Sequence, residues 1–342
     1  MKLASGTSWF TIHIAIKRGV SVMAIPQSML SVVARDEVHL QFNVKAGVDM
    51  RQLFKLLSKL WESQVTGILD PTLNRHHQLT GGTANVVLGF RPELWRAACP
   101  GCVPDNMASF DHDLVGANGK TAPATQHDFW VWITQSNAAT LYDSMRTALT
   151  LLGPFAELAS EQVCFPYHNN VTFDGFADGV ANPNPFRAHG VAIIPDGEKG
   201  AGGSTVLLQK WRMDVERLRA LPVHAAEQVW GRTKAGSHEL SPLPVDSHVG
   251  RNQFIRDGEE VDIVRRNANY ANAGEAGVMF VGFCKDITVT MGMLRQMYGV
   301  GYDGITKTDR LLDFSTALSS AIYFVPSIDA LLAVGISPAD PG

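Results

Sequence analysis

The sequence lacks both a long apolar run and an excess of positive charge. No stretch reaches the roughly 18 apolar residues that a membrane-spanning helix needs. With 29 Lys and Arg residues against 33 Asp and Glu, the formal net charge is −4, which argues against nucleic acid as a partner. Hydrophobic residues make up 45% and charged residues 18% of the chain, a composition that excludes disorder. At 342 residues the chain is long enough for two domains with a substantial core.

Cysteine is scarce, with four in the whole chain. So few cysteines predict a reducing compartment and no disulfide framework. Cys99 and Cys102 form a CPGC sequence, which superficially resembles a thioredoxin-like dithiol or half of a zinc site. A dithiol is expected where a strand meets a helix, and a zinc site needs a second ligand pair. CPGC instead lies in a Pro/Gly-rich stretch, and Cys164 and Cys284 stand alone, so we predict plain loop and core cysteines.

The first 30 residues lack the features of a targeting signal. The apolar stretch Trp9–Ile16 is short, is interrupted by His13, and is followed by no small-residue cleavage site. We therefore expect residues 1–30 to be an extension outside the fold, with Met23 as the true start. The protein is expected to be cytoplasmic.

Hydrophobic periodicity predicts two successive copies of one order of elements. In the first half we predict strands over 38–44, 84–90, 128–134 and 155–164, helices over 47–65 and 137–152, and a long loop over 91–125. In the second half we predict strands over 191–194, 204–211, 262–270, 277–284 and 321–325, helical segments reaching residues 218 and 230, and a helix over 287–298. Strand-helix-strand repeated twice is the ferredoxin-like pattern, with an antiparallel sheet and helices on one face.

The predicted fold is therefore α+β, a duplicated ferredoxin-like fold with two antiparallel sheets and peripheral helices. We assign residues 31–168 to an N-terminal domain, 169–336 to a C-terminal domain and 337–342 to a tail. Two such halves stacked face to face leave a deep apolar crevice between sheet and loops, which suits a large flat ligand.

The stretch Val171–Pro183, VTFDGFADGVANP, places the carboxylates of Asp174 and Asp178 among glycines. Gly175 and Gly179 allow the backbone to bend tightly or to approach a ligand where a Cβ would clash. Asp178 is therefore interpreted as a carboxylate held on a shaped loop beside a large group. A simpler interpretation is that Asp-Gly and Asn-Pro mark turns between two domains, and the stretch alone leaves both open.

Two polar segments follow downstream, His248 in DSHVGRN and the pair Arg265-Arg266 in DIVRRNANY. Taken alone, a histidine in such a loop is typical of a surface or capping residue. An arginine pair in a strand is typical of a solvated edge, with ion pairs to Asp262 or Glu260.

The ordered set of motifs resembles the dye-decolourising peroxidases, a haem family, and most closely their type B subgroup. The matching stretches are GFADG at 175–179 with Asn182-Pro183, GRTK at 231–234, SH at 247–248, IVRRN at 263–267, DRLLDF at 309–314 and FVPS at 324–327. The resemblance runs from about Val32 to Val334, which is most of the chain. A lone GxxDG is weak evidence, whereas the ordered set is specific.

The resemblance implies haem b as the cofactor, bound between the halves or within the C-terminal half, with His248 as the axial iron ligand. A ligating histidine usually donates its second ring nitrogen to a carboxylate or carbonyl. Asp309 is the candidate partner by motif position, and Asp313 is the alternative.

On the other, distal face of the haem, the resemblance places Asp178 as the proton shuttle for peroxide. Arg265 is the permanently charged donor that stabilises negative charge there, and Asn267 orients peroxide or water. Phe280 is implied to line this distal pocket, and Gly179 to bring the backbone close to the cofactor.

A haem propionate calls for a bidentate cation, and Arg232 is the implied partner, with Lys234 and Arg187 as further candidates. Three positions depart from the family pattern. Gly250 replaces a bulkier residue and is expected to loosen the axial loop, and Asn269 and Asn272 replace a proline and a glycine around Tyr270.

The implied activity is reduction of hydrogen peroxide coupled to one-electron oxidation of a phenolic, dye-like or metal-ion donor. A homo-oligomer is expected, and no C-terminal encapsulin-targeting segment is recognised. A competing hypothesis is a haem-handling protein that stores or delivers haem or removes its iron, with incidental peroxidase activity. A third, a cofactor-free ferredoxin-like ligand sensor, is disfavoured by the motif around His248.

Overall fold

The computed structural model describes residues 23–30, 36–66, 85–168 and 170–336. Of the expected extension over residues 1–30, residues 1–22 lie outside the described residues, as does the tail over 337–342. Residues 23–30 belong to the fold, contrary to that expectation, since Met29 is buried and the Gln27 side chain donates to the carbonyl of Leu88 at 3.0 Å. The strands are β1 Asp36–Val44, β2 Asn85–Phe90, β3 Leu114–Val115, β4 Thr121–Ala122, β5 Phe129–Gln135, β6 Ala156–Cys164, β7 Ser204–Met213, β8 Ile255–Arg256, β9 Glu259–Glu260, β10 Val264–Arg265, β11 Ala268–Ala271, β12 Ala276–Cys284 and β13 Ser315–Val325.

The α-helices are α1 Met50–Thr66, α2 Pro92–Ala98, α3 Ala138–Leu152, α4 Pro185–Ala192, α5 Val215–Arg219, α6 Val223–Trp230, α7 His248–Asn252, α8 Ile287–Met297 and α9 Ile328–Ala333, and short 3₁₀ turns cover Ser28–Leu30 and Arg310–Asp313. None of these helices is long and apolar enough to cross a membrane.

The sheet order shows the duplication directly. Within the described ranges, a nine-stranded antiparallel sheet runs β10-β12-β7-β13-β2-β5-β1-β6, with β11 also paired to β12. In the N-terminal half the order β2-β5-β1-β6 places the second, third, first and fourth main strands side by side. In the C-terminal half β10 and β11 together, then β12, β7 and β13, repeat that order. The predicted duplicated ferredoxin-like fold is confirmed.

The two half-sheets are joined at an edge and packed through their inner faces. Phe324 of β13 pairs with Phe90 of β2. Trp130 and Trp132 of β5 contact the ring of Phe283 of β12, with centroids 6.5 and 6.0 Å apart. Because β5 and β12 are not neighbours in the sheet, this contact places the inner faces against each other, as the stacked arrangement predicted.

The outer face of the N-terminal half is covered by amphipathic helices. Leu53 and Leu57 of α1 and Leu141 and Ala148 of α3 are buried against strand residues such as Val38. These side chains recur every three to four residues along the sequence, which places them on one helix face. Burying such a leucine stabilises the fold by about 1.5–3 kcal/mol.

Several boundaries differ from the sequence prediction for local reasons. The predicted loop over 91–125 contains α2, β3 and β4. Pro92 stands at the start of α2, where its fixed φ suits a helix and its missing N–H costs nothing. The predicted strand over 191–194 is wrong, because α4 begins at Pro185 after the Asn184 cap and continues to Ala192.

The cysteines in CPGC are bonded to each other, so the prediction of unpaired loop cysteines is wrong. Cys99 follows the end of α2, and the N–H of Cys102 donates to its carbonyl at 3.1 Å. This turn places the two Cα atoms 5.5 Å apart, within the range of a disulfide. Cys164 and Cys284 are buried and free, as predicted.

Candidate active site

A cavity of about 1570 Å³, including its open mouth, lies in the C-terminal half. Its walls come from β7, β12, α7, α8 and the loop around residues 176–181. Trp211 of β7 and Phe280 of β12 face it, whereas their strand neighbours Leu208 and Val281 belong to the inner core. Since side chains alternate along a strand, the cavity occupies the outer face of this half-sheet.

The cavity brings together most of the predicted site residues. Those that line it are Asp178, Gly179, Arg232, His248, Arg265, Asn267 and Phe280. Asp309 lies behind His248, and Arg187 and Lys234 are not lining residues.

The loop that carries Asp178 is shaped by its glycines. Gly175 and Gly179 have φ angles of +90° and +75°, in the left-handed region that favours glycine. The N–H of Gly179 donates to Asp178 Oδ1 at 2.7 Å, and the N–H of Asp178 donates to the carbonyl of Asn170 at 3.0 Å. The carboxylate is therefore held at one oxygen by its own turn.

Asn182 ties this loop to the strand that carries Arg265. Its Oδ1 accepts the N–H of Arg265 at 2.7 Å, and its Nδ2 donates to the carbonyl of Arg265 at 3.0 Å. The two bonds fix the backbone of Arg265 relative to the Asp178 loop. Sequence reasoning treated Asn182 as a turn residue and a motif match and missed this role.

Strand alternation decides which member of the arginine pair reaches the cavity. The Nη1 and Nη2 of Arg265 contact the carbonyl of Ala181 at 3.3 Å and the sulfur of Met293 at 3.9 Å. The side chain of Arg266 instead donates to the carbonyl of Leu30 at 2.6 Å, away from the cavity. Asp262 was a candidate ion-pair partner for Arg265 and Arg266. Its carboxylate instead lies 3.1 Å from the guanidinium of Arg187.

Burial and nearby charge act against each other at Asp178 and Arg265. Burial raises the pKa of Asp178 above its ordinary 3.8, although the Gly179 N–H, Asn267, His248 and Arg265 oppose the rise. Burial lowers the pKa of Arg265 below its ordinary value, and the carboxylates of Asp262 and Asp178 oppose that fall. A guanidinium stays charged under any ordinary condition, so Asp178 is the group of the two that can exchange a proton.

Asn267 carries an unsatisfied polar atom. Its Oδ1 is buried and has no hydrogen-bond partner among the described residues, while its amide lowers the pKa of Asp178 through a side-chain hydrogen bond. Buried polar atoms without a partner are rare in native proteins. An unpaired acceptor on a cavity wall is therefore available to a ligand.

His248 begins α7 and is oriented from behind. Its Nδ1 lies 2.7 Å from Asp309 Oδ2, and the Asp309 side chain is 0% exposed. The other oxygen, Oδ1, accepts the N–H of Leu311 at 2.8 Å. With Nδ1 occupied by a carboxylate, Nε2 is the ring nitrogen left for a ligand. The alternative partner, Asp313, bonds Lys120 at 2.6 Å instead.

The turn before His248 is tightly built. Ser247 caps α7 by accepting the N–H of Gly250 at 3.1 Å. A Cβ at Gly250 would lie 2.6 Å from the carbonyl oxygen of Pro244, too close for a real contact. Glycine therefore suits this tight turn, and the expectation that it loosens the loop stays a prediction.

The three residues that were predicted to bind a haem propionate lie in different surroundings. Arg232 lines the cavity and donates to Glu239 Oε1 at 2.6 Å and to the Ser237 carbonyl at 3.1 Å. Arg187, with 65% of its side chain exposed, is held outside by Asp262. Lys234 lies over the Phe176 ring, 5.7 Å from its centroid.

A second cluster of potential metal ligands lies on β1 and β6. One atom each from Glu37, His39 and Cys164 falls within 4.8 Å of the others. The indole N–H of Trp132 donates to Glu37 at 3.0 Å and that of Trp130 donates to His39 at 3.3 Å, while His39 and Glu37 lie 3.2 Å apart. This network satisfies the polar atoms without an ion.

The site combines a carboxylate-backed histidine with a half-buried carboxyl, a fixed cation and an open amide acceptor. Comparisons with known proteins agree with this chemistry. The sequence pattern of the C-terminal Dyp-type peroxidase family matches residues 169–330. A dye-decolorizing peroxidase of Mycobacterium tuberculosis is 33% identical over 271 residues, which are 78% of this chain and 77% of that protein.

Other relatives extend the similarity. A dye-decolorizing peroxidase of Mycolicibacterium paratuberculosis is 35% identical over 255 residues, covering 72% of this chain and 70% of the relative. A variant of DypB from Rhodococcus jostii RHA1, solved in complex with heme, superposes with a TM-score of 0.80 at 30% identity, covering 92% of this chain and 100% of that one. The chain belongs to the dye-decolorizing peroxidase family.

Proposed function

We propose that the cavity would hold haem b, with His248 to ligate its iron and Asp178, Arg265 and Asn267 to act on peroxide, and that the protein uses hydrogen peroxide to oxidise small donors. The observation that carries this proposal is one cavity that holds both a carboxylate-backed histidine and a carboxyl–guanidinium–amide group.

The donor set fits haem. The walls are largely apolar, with Leu207, Trp211, Phe280, Met293 and Leu294 among the lining residues, and such walls suit a flat macrocycle. Neutral imidazole is a common axial ligand of haem iron.

The cavity also supplies a cation for a propionate. A guanidinium has five N–H donors, so the bonds of Arg232 to Glu239 and Ser237 leave donors for a carboxylate. The unpaired Oδ1 of Asn267 is available to a hydrogen-bond donor such as peroxide.

When bound, haem would supply the redox centre that reduces peroxide and then accepts single electrons from donors. The residues on the histidine side of the site would hold the haem iron and set the basicity of its ligand. Asp309 fixes the ring orientation of His248 and increases the basicity of Nε2 by accepting from Nδ1.

The loop side of the site moves a proton and stabilises charge. The carboxylate of Asp178 takes the proton of peroxide and returns it to the departing oxygen. The Gly179 N–H holds its oxygen Oδ1 at 2.7 Å, and the Asn267 side chain also hydrogen-bonds this carboxyl. Arg265 stabilises the negative charge that develops on peroxide, and Asn267 accepts a hydrogen bond that orients it.

The donor is a small molecule of phenolic or dye-like type, or a metal ion. Another DypB variant is solved in complex with manganese, at 30% identity and a TM-score of 0.78 over 92% of this chain and 98% of that one. The proposed setting is a cytoplasmic homo-oligomer.

The haem-handling alternative is not favoured. Storage or delivery of haem needs the axial histidine but no proton relay, and the cavity pairs a carboxyl of raised pKa with a fixed guanidinium. Rapid mixing of haem-loaded protein with one equivalent of peroxide separates the two. A fast change of the Soret band followed by donor-dependent recovery is expected, whereas tight haem binding with almost no reaction would establish the haem-handling function.

A further inference from the structure

Trp230, the last residue of α6, contacts the histidine directly. It lines the cavity, and its ring meets the ring of His248 edge-on, with centroids 5.5 Å apart and planes at 82°. No described side chain stands between the indole and the imidazole in this contact. The indole therefore adjoins the group that the proposed function assigns to iron.

The indole N–H points at a buried carboxylate. Trp230 Nε1 donates to Asp174 Oδ2 at 2.8 Å, and Asp174 is 6% exposed. The other oxygen, Oδ1, accepts the hydroxyl of Thr172 at 2.6 Å. Both oxygens of this carboxylate are therefore held by hydrogen bonds, one of them from the indole.

The charge on Asp174 acts on the ring it contacts. An indole that loses one electron becomes positively charged, and a carboxylate at hydrogen-bond distance in a poorly solvated site stabilises that charge. The nearby Lys234 ammonium opposes this effect from further away, since it sits over the Phe176 ring at 5.7 Å from that ring's centroid. Phe176 in turn lies 5.4 Å from the Trp230 ring, between centroids.

We propose that Trp230, paired with Asp174, is a redox-active residue of this peroxidase, which holds one oxidising equivalent as an indole cation radical. The inference rests on the proposed function. An electron leaves the Trp230 ring for the peroxide-oxidised haem, no bond breaks, and the proton stays on Nε1 in its hydrogen bond to Asp174. A donor then returns one electron to the ring and is itself oxidised by one electron.

Trp211 provides a matched control in the same cavity. It lines the cavity and is 8% exposed, but its neighbour is the ring of Tyr298, at 6.4 Å between centroids. Within the described part of the chain, no carboxylate bonds its Nε1. Both tryptophans line the cavity, and the carboxylate distinguishes them.

The test is freeze-quench electron paramagnetic resonance of haem-loaded protein mixed with peroxide, recorded with the visible spectrum of the same samples. Wild type is expected to give a radical signal that narrows when tryptophan is supplied with a deuterated indole ring. Trp230→Phe is expected to lose the signal and Trp211→Phe to keep it. Asp174→Asn, which keeps the shape but removes the charge, is expected to lower the radical yield about tenfold or more, as a lost buried charge interaction implies.

Each outcome bears on a different claim. A radical that survives Trp230→Phe, that does not narrow with the label, or that is unchanged in Asp174→Asn overturns the assignment. Wild type that reacts with peroxide in its visible spectrum but gives no tryptophan radical also overturns it. A Soret band that does not respond to peroxide overturns the proposed function itself. If Trp230→Phe fails to fold, the isotope label and Asp174→Asn still decide.

Discussion

On the α7 side of the cavity, His248 faces Asp309 at 2.7 Å and both oxygens of that carboxylate are occupied. On the loop side, Asn267 Oδ1 is buried without a partner among the described residues, and the Asp178 carboxyl is bonded by the Gly179 N–H and the Asn267 side chain. The first arrangement is complete before any ligand arrives, and the second is left open. The comparison indicates that the α7 side holds a fixed geometry, whereas the loop side exchanges hydrogen bonds during a reaction.

The largest effect is expected from removing the histidine that is proposed to hold the haem iron. His248→Ala removes the proposed axial ligand, so haem is expected to bind weakly or with a changed Soret maximum. Titration with haem, followed by absorption, measures this. His224→Ala, an exposed histidine on α6, is the control and should bind like wild type. Unchanged affinity and spectrum in His248→Ala would show that another residue binds the iron.

The next largest effect is expected from removing the carboxyl that is proposed to carry the proton of peroxide. Asp178→Asn keeps the shape of the side chain but removes the proton acceptor, and we expect the rate with peroxide to fall about 10²- to 10⁴-fold. Haem affinity should stay within a few-fold of wild type. Stopped-flow absorption measures the rate. A variant that reacts at the wild-type rate would show that Asp178 carries no proton.

A smaller effect separates position from chemistry. Asn182→Ala removes both hydrogen bonds to the backbone of Arg265, so the peroxide rate is expected to fall about tenfold through misplacement of the guanidinium. Asn184→Ala, which removes only the cap of α4, should cost about 1 kcal/mol of stability and leave that rate unchanged. If the two variants react with peroxide at equal rates, Asn182 does not position Arg265.

The smallest effect concerns the propionate. Arg232 lines the cavity, whereas Arg187 is held outside by Asp262. Arg232→Ala is expected to speed haem dissociation about tenfold, the size of one charge-assisted hydrogen bond, and Arg187→Ala should change it little. Transfer of haem to an excess of a haem-scavenging protein gives both rates. The reverse order would assign the propionate to Arg187.

Much of the site could be predicted from sequence because its chemistry sits in short motifs. The Asp178 loop, His248 and Arg265 stand in stretches that, taken together and in order, resemble the motifs of one family. Asn182 could not be assigned, because its partner Arg265 is 83 residues away and is brought near only by the fold. The pairing of Asp174 with Trp230 across 56 residues escaped for the same reason.

The fold was predictable where periodicity is strong and failed where a single residue decides. The amphipathic helices α1 and α3 and the alternating strand β1 were placed within a few residues. The apolar residues around 191–194 are typical of a strand. They instead follow a helix start at Asn184-Pro185, so that α4 extends to Ala192. The predicted strand over 262–270 is divided into β10 and β11, and the hydrophobic pattern does not show this break.

The central claim, that the two sides of the cavity do different work, is tested most directly by the pH dependence of the peroxide rate in two matched variants. Asp178→Asn and Asp309→Asn make the same chemical change in the two places. Because burial raises the pKa of Asp178 above 3.8 and the ionised form accepts the proton, the wild-type rate should rise with pH through that raised value. The account predicts that Asp309→Asn keeps this rise while its iron reduction potential increases, and that Asp178→Asn loses the rise. A rise that survives in Asp178→Asn, or one lost equally in both variants, would contradict it.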